Sequence, residues 1–219
     1  MLEESTGSGY HDPTIREVAF NAFRGNLRKG ETVFGEIVGF EPSGKPIMGG
    51  VPVGKREHPE LNALYGDAMQ YSYGCGPTEC AVYVYRITLT TPCGHTVDLP
   101  WAAVKERCAE LGAKHVPELA TVDCSHIHTG YTVSAGDTVA HHDNDDFESP
   151  RKEFEHLLLE RLDALAKGPS VLDSRHLREG ICVRCDDWPG FTAKLKSHDF
   201  KVLEGLVKDS GVVDMEEAS

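Results

Sequence analysis

The chain has 219 residues, 40% of them hydrophobic, and a formal net charge of -13. That suits one domain with a real core; it leaves no apolar run long enough for a membrane span and argues against broad, non-specific binding of a polyanion, though not against a local basic groove. Seven cysteines with no basic-then-apolar leader make a disulfide framework unexpected, and the expected compartment is the cytoplasm.

Residues 1–11 are expected to be disordered. Asp12-Pro13 then opens a helix, since Asp caps and Pro fits the first turn. Ile15, Val18, Ala19, Phe23 and Leu27 recur at helical spacing, and Gly30 is expected to end it. Thr32 to Phe40 alternates as a strand, and Pro42 to Pro46 reads as a turn. Residues 57–70 allow a short helix. Val82 to Leu89 is rich in β-formers. Thr91-Pro92-Cys93-Gly94 turns it into a second strand, His95 to Leu99. Pro100 to Leu111 predicts an amphipathic helix closed by Gly112. Residues 121–148 have little periodicity and predict a long loop. Ser149-Pro150 repeats the cap-and-proline signal for a helix whose face is Phe154, Leu157, Leu158, Leu162 and Leu165, ended by Gly168. Strands near 180–186 and 191–197 and a helix near 198–209 follow, then an acidic tail over 210–219. Strands of antiparallel character among scattered helices predict an α+β fold. Neither a glycine-rich phosphate loop nor regular βαβ alternation is present.

Three strands carry charges where a simple core would not. Side chains alternate along a strand, so Glu36 shares a face with Phe34, Val38 and Phe40. A carboxylate on an apolar face needs a cation or a hydroxyl, unless that face is simply open to water. Glu179 precedes Gly180 and shares a face with Ile181 and Val183; glycine there permits close approach of a ligand or a second backbone. Lys194 and Lys196 point one way, and Phe191, Ala193 and Leu195 the other. Paired ammonium groups suit phosphate oxygens, although a lysine stripe also protects an edge strand from aggregation. The short connection through Trp188-Pro189-Gly190 predicts that the last two strands are neighbours.

Taken together, Gly35-Glu36-Ile37, Glu179-Gly180-Ile181-Cys182-Val183-Arg184 and Lys194-Leu195-Lys196-Ser197 resemble motifs III, IV and V of the covalent nucleotidyltransferases: RNA ligases, DNA ligases and capping enzymes. The stretch Val82-Tyr83-Val84-Tyr85-Arg86-Ile87 with Val97-Asp98-Leu99 is similar to the motif IIIa hairpin of ATP-dependent RNA ligases, and Val116-Pro117-Glu118-Leu119 fits the same group. The likeness runs from about Gly30 to Gly205.

The resemblance implies a nucleotidyltransferase fold over residues 12–209, ATP and Mg²⁺ as cofactors, and RNA ends as substrate. It implies that Glu36 contacts the ribose or a metal-bound water, that Tyr85 stacks on adenine, and that Glu179 holds the metal. Lys194 and Lys196 would neutralise the nucleotide phosphates. Arg86 departs from the pattern, because these ligases usually carry Asp there. The larger departure is motif I, Lys-x-[Asp/His/Glu]-Gly, whose lysine becomes adenylylated. Lys29, Lys45 and Lys55 all stand in other contexts, and motif III begins near residue 33. The expected fold is therefore N-terminally incomplete, with motif I on an upstream segment or a separate chain. The alternative is a non-catalytic nucleotide- or RNA-binding remnant. About 23 residues follow Lys196, too few for the OB domain of DNA ligases.

Zinc was weighed at the cysteines. Cys182 and Cys185 stand at an odd offset, which sends strand side chains to opposite faces. Cys75, Cys80, Cys93 and His95 have loose spacing, and small buried cysteines are the commoner reading. His126, His128, His141 and His142 fall in the expected long loop, where a solvated surface is the simpler account.

Overall fold

The computed structural model describes residues 13–121, 148–186 and 191–205. The expected disordered N-terminus, almost all of the 121–148 loop with its four histidines, and the acidic tail lie outside the described residues. The architecture is α+β.

The largest sheet is built on one long strand. β1 (Glu31–Gly39) runs antiparallel along one edge of β4 (Cys80–Thr90). The other edge of β4 is shared by β5 (Thr96–Asp98), antiparallel opposite Thr88 to Thr90, and β6 (Lys114–His115), parallel opposite Tyr83 and Val84. β-Branched and aromatic residues dominate β4, which suits a central strand. Helix α3 (Trp101–Leu111) covers one face. Its Val104 and Cys108 pack on Val84 and Ile87, with Phe23, Val33 and Trp101 at the rim.

Val84 and Ile87 lie three residues apart and are both fully buried, which a regular strand forbids. A β-bulge resolves this: the register slips between Phe34 opposite Arg86 and Gly35 opposite Val84, leaving Tyr85 as the extra residue. Tyr85 and Arg86 therefore both turn to the face away from α3.

α1 (Pro13–Phe23) is shorter than its pattern predicts. Gly25, at φ +82°, ends it before the expected Gly30, because a left-handed residue past the last turn closes the backbone hydrogen bonds. The following turn is tied to α3 through a buried ion pair. Arg107 donates to both oxygens of Glu31 at 2.7 and 2.8 Å, and also to the Asn26 carbonyl at 2.7 Å.

The remaining elements form a second packing centre. β2 (Val51–Pro52) pairs with β3 (Ala68–Met69), and α2 (Pro59–Tyr65) connects them within the ambiguous 57–70 segment. Val53, Met69, Tyr71, Leu177 and Phe200 make its core. β7 (Gly180–Arg184) and β8 (Thr192–Lys196) pair antiparallel, as their short connection predicted. α4 (Glu148–Ala166) packs on both. Arg178 donates to the Leu165 and Pro169 carbonyls and so closes the C-terminal end of α4. Along the face of β8 carrying Phe191, Ala193 and Leu195, Phe191 is 53% exposed and Ala193 is exposed, while Leu195 is half-buried. α5 (His198–Leu203) is capped by Ser197, whose hydroxyl accepts from Phe200 N at 3.3 Å.

Asp186 joins the β7–β8 ribbon to the main sheet. Its carboxylate accepts from Trp101 N at 3.1 Å, at the N-terminus of α3, where Pro100 offers no side-chain cap. Arg184 adds a bond to the Leu99 carbonyl. Among the described residues, no helix is long and apolar enough to cross a membrane.

Candidate functional site

The open face of the main sheet carries Phe34, Glu36, Tyr83, Tyr85 and Arg86. Glu36 lies directly opposite Tyr83, and the Arg86 guanidinium sits 4.9 Å from the centre of the Phe34 ring. Tyr85 is 45% exposed on this face, which the bulge makes possible. Arg86 is already partnered: it grips both oxygens of Asp98 on β5, and this holds the Asp98 carboxyl below its ordinary range. The face that would carry Asp in the ligases thus carries an internally neutralised pair.

The turn Tyr71-Ser72-Tyr73-Gly74, between β3 and β4, reaches across to the second packing centre. Tyr71 is fully buried against His176, with ring centroids 4.5 Å apart, and against the edge of Phe200 at 6.0 Å. The chain then reverses through two left-handed residues, Tyr73 at φ 51° and Gly74 at φ 80°. That conformation is unusual for an aromatic residue and needs support. Asp173 supplies it: the carboxylate accepts from Ser72 Oγ at 2.5 Å and from Gly74 N at 3.4 Å. Arg175 lies against it, with Nε 2.8 Å from Oδ1, and holds the Asp173 carboxyl far below its ordinary range.

Tyr73 touches one of the two predicted carboxylates and senses the charge of the other. Its hydroxyl donates to Glu179 Oε1. Burial first, then that bond, then the charges of Glu179 and Glu36 push the phenol far above its ordinary range, so both acids lie within electrostatic reach of one ring. Tyr71 is raised as well, by burial and then by Glu179 and Glu204. Burial lowers His176, whose Nδ1 donates to the Leu177 carbonyl at 3.1 Å. The neutral ring leaves a lone pair on Nε2, and both that atom and the Tyr71 hydroxyl are buried without a hydrogen-bond partner.

The lysines approach from β8. Register sets Lys196 opposite Gly180 and Lys194 opposite Cys182, on one face of the ribbon. Gly180 allows the strands to meet, because a Cβ there would overlap the Leu195 carbonyl oxygen and stand 2.7 Å from the Lys196 Cα. Ser197 N donates to the Glu179 carbonyl at 2.8 Å, so the end of β8 is bound to the residue before β7. The Lys196 ammonium pairs with Glu204 at 2.6 Å and lies 5.6 Å from the Phe200 ring centre. Lys194 is exposed. A seam of charge thus runs from Glu36 through Tyr73, Glu179, Tyr71 and Glu204 to Lys196, made of contacts at Tyr73–Glu179 and Lys196–Glu204 and of longer-range charge effects elsewhere, while Lys194 stands outside it.

Beside the seam lies a pocket of about 410 Å³, a size suited to a small ligand. Tyr73, Cys75, Glu79, Tyr83 and Lys114 line it. The Lys114 ammonium is 5.6 Å from the centre of the Tyr83 ring. Sequence reasoning missed Tyr71, Tyr73, Tyr83, His176 and Lys114. The one available signal was the Tyr-x-Tyr-Gly turn between two strands.

Mg²⁺ takes oxygen ligands and is commonly held by one or two carboxylates plus substrate phosphates. Glu179 fits that pattern as a hard oxygen donor held by Tyr73, and Glu36 lies within electrostatic reach of the same hydroxyl. Among the described residues, no group of three or more His, Cys, Asp or Glu side chains is arranged to hold a metal. The same finding applies to zinc at the described cysteines. The sequence matches no protein-family model, and neither a curated protein nor a solved structure matches it.

Proposed function

We propose that this chain is the nucleotidyltransferase domain of an ATP-dependent RNA ligase, which joins 5′-phosphate to 3′-hydroxyl RNA ends. The observation that carries the reading is the Tyr73 hydroxyl, bonded to Glu179 and within electrostatic reach of Glu36, two acids 143 positions apart that the resemblance assigns to one nucleotide site. In this reading Glu36 orients the ribose, Tyr85 offers a ring face to adenine, and Glu179 holds Mg²⁺. The metal, when bound, supplies charge neutralisation at the reacting phosphate. Lys194 and Lys196 serve as fixed counter-charges for phosphate oxygens; Lys196 must first exchange Glu204 for the ligand. The role of counter-charge excludes the role of nucleophile, which must present a free amine in line with the leaving group.

These 219 residues hold no Lys-x-[Asp/His/Glu]-Gly. That observation favours one second reading, a non-catalytic nucleotide- or RNA-binding remnant with RNA ends, ATP or both as ligands. Incubation with radiolabelled ATP and Mg²⁺ followed by a denaturing gel separates the two. This chain alone should retain no label. A motif I segment, fused or in trans, should restore labelling; no label even then favours the remnant. Label on a lysine of the 219-residue chain alone would show that the nucleophile has been misassigned. Calorimetry with ATP tests the shared nucleotide site. Tyr85→Ala should weaken binding by about 1–3 kcal/mol, the scale of base–aromatic stacking, and unchanged affinity would count against that role.

A further inference from the structure

Tyr73 is held more firmly than a surface turn requires. Its backbone is left-handed, a conformation that persists only where the surroundings impose it. Asp173 binds the residues on both sides of it, through Ser72 Oγ and Gly74 N. His176 meets the Tyr73 ring edge-on, with centroids 4.9 Å apart and planes at 72°, and Tyr71 lies at 6.0 Å. The result of this support is a hydroxyl set on Glu179 Oε1, with Met48 Sδ as a weaker neighbour at 3.8 Å.

A carboxylate has two oxygens and can turn about its terminal torsion. A donor fixed on one oxygen stops that rotation and commits the other to one direction. We propose that Tyr73 is the positioning residue of Glu179: it clamps one oxygen of Glu179 and so presents the other to a divalent cation. The inference rests on the reading of Glu179 as a metal-binding carboxylate. The clamp suits that task because a phenol hydroxyl donates a hydrogen bond without bringing a further negative charge. It also explains why the position holds tyrosine despite its backbone: phenylalanine could fill the space against His176 but could not hold the carboxylate.

The test is Mn²⁺ binding, followed through the electron paramagnetic resonance signal of the free ion, for the full chain and for Tyr73→Phe and Glu179→Gln. Glu179→Gln should abolish the site. Tyr73→Phe should weaken it about tenfold, the scale of one hydrogen bond to a charged group. If Glu179→Gln loses binding and Tyr73→Phe matches the unaltered chain, the positioning role is overturned while the metal assignment stands. If all three bind alike, both fall. A second measurement needs no Tyr73 variant, in case that variant does not fold. In the chain labelled with ¹³C at tyrosine Cζ, Mg²⁺ should move a tyrosine resonance, and should not do so in Glu179→Gln. Resonances indifferent to Mg²⁺ would overturn the clamp.

Discussion

The Tyr73 turn depends on a carboxylate 101 positions away from Ser72. Asp173 is buried, yet it stays ionised because Arg175, Ser72 and the Arg175 backbone N–H all donate to it. Its pKa is depressed in the folded state. The stabilisation is therefore complete above the unfolded carboxyl value near 3.9 and fades as pH falls through the folded value. Asp173→Asn should cost about 1–3 kcal/mol at neutral pH, the range for a hydrogen bond to a buried charged group. Arg175 is largely exposed, so water screens its share and the lower end is the better guide. Urea denaturation at pH 7 and at pH 3 checks this. The gap between variant and unaltered chain should narrow in acid, and a gap independent of pH would mean that Asp173 acts through packing alone. The sequence offered no route to this residue. Asp173 and Arg175 read as an ordinary polar stretch, and their importance arises only when Ser72 and Gly74 fold against them.

At the level of elements, local pattern and long-range placement were legible to different degrees. Alternation located β1, richness in β-formers located β4, the turn chemistry of Thr91 to Gly94 located the hairpin, and the short link after Arg184 paired β7 with β8. These are properties of neighbouring residues, which is why a sequence displays them. The bulge at Tyr85 is not. It shows only in the burial of both Val84 and Ile87, and it decides that Tyr85 and Arg86 share the face of Glu36. Two-residue strands such as β2 and β6 carry too little pattern to be read. The pairing of β7 and β8 makes its own prediction. Gly180→Ala would force a methyl group into the Leu195 carbonyl and against the Lys196 backbone, and backbone atoms cannot swing aside as a side chain can. The ribbon should part, at a cost of about 1–3 kcal/mol or more, as in other overpacked sites. Hydrogen exchange should show loss of amide protection in both strands while α3 stays protected. A variant with unchanged protection would mean that the ribbon tolerates a separation its register denies.

For the whole molecule, the question is how a chain of net charge -13 could hold RNA. Long-range attraction is against it, so affinity must come from a few cations placed at the site, and binding should depend weakly on salt compared with a basic protein. The cations near the seam are few and differently engaged. Lys114 lies over Tyr83, and Lys196 is paired with Glu204 at 2.6 Å. Lys194 is exposed on the same face of the ribbon as Lys196 and has no ion pair among the described residues, so it can meet a phosphate directly. Each phosphate contact released by mutation should lower the slope of log affinity against log salt by about one unit. Lys194→Ala should therefore weaken binding of a 5′-phosphorylated single-stranded RNA and reduce the slope by about one. Lys196→Ala should do less, because the ammonium it removes is already balanced by Glu204. Glu204→Gln should do the opposite of both, raising affinity and steepening the slope as Lys196 is freed. Fluorescence anisotropy over a salt series measures all three. If Lys194→Ala leaves the slope unchanged while Glu204→Gln fails to raise affinity, β8 is not the phosphate-facing strand and its lysines serve only to keep an open edge soluble.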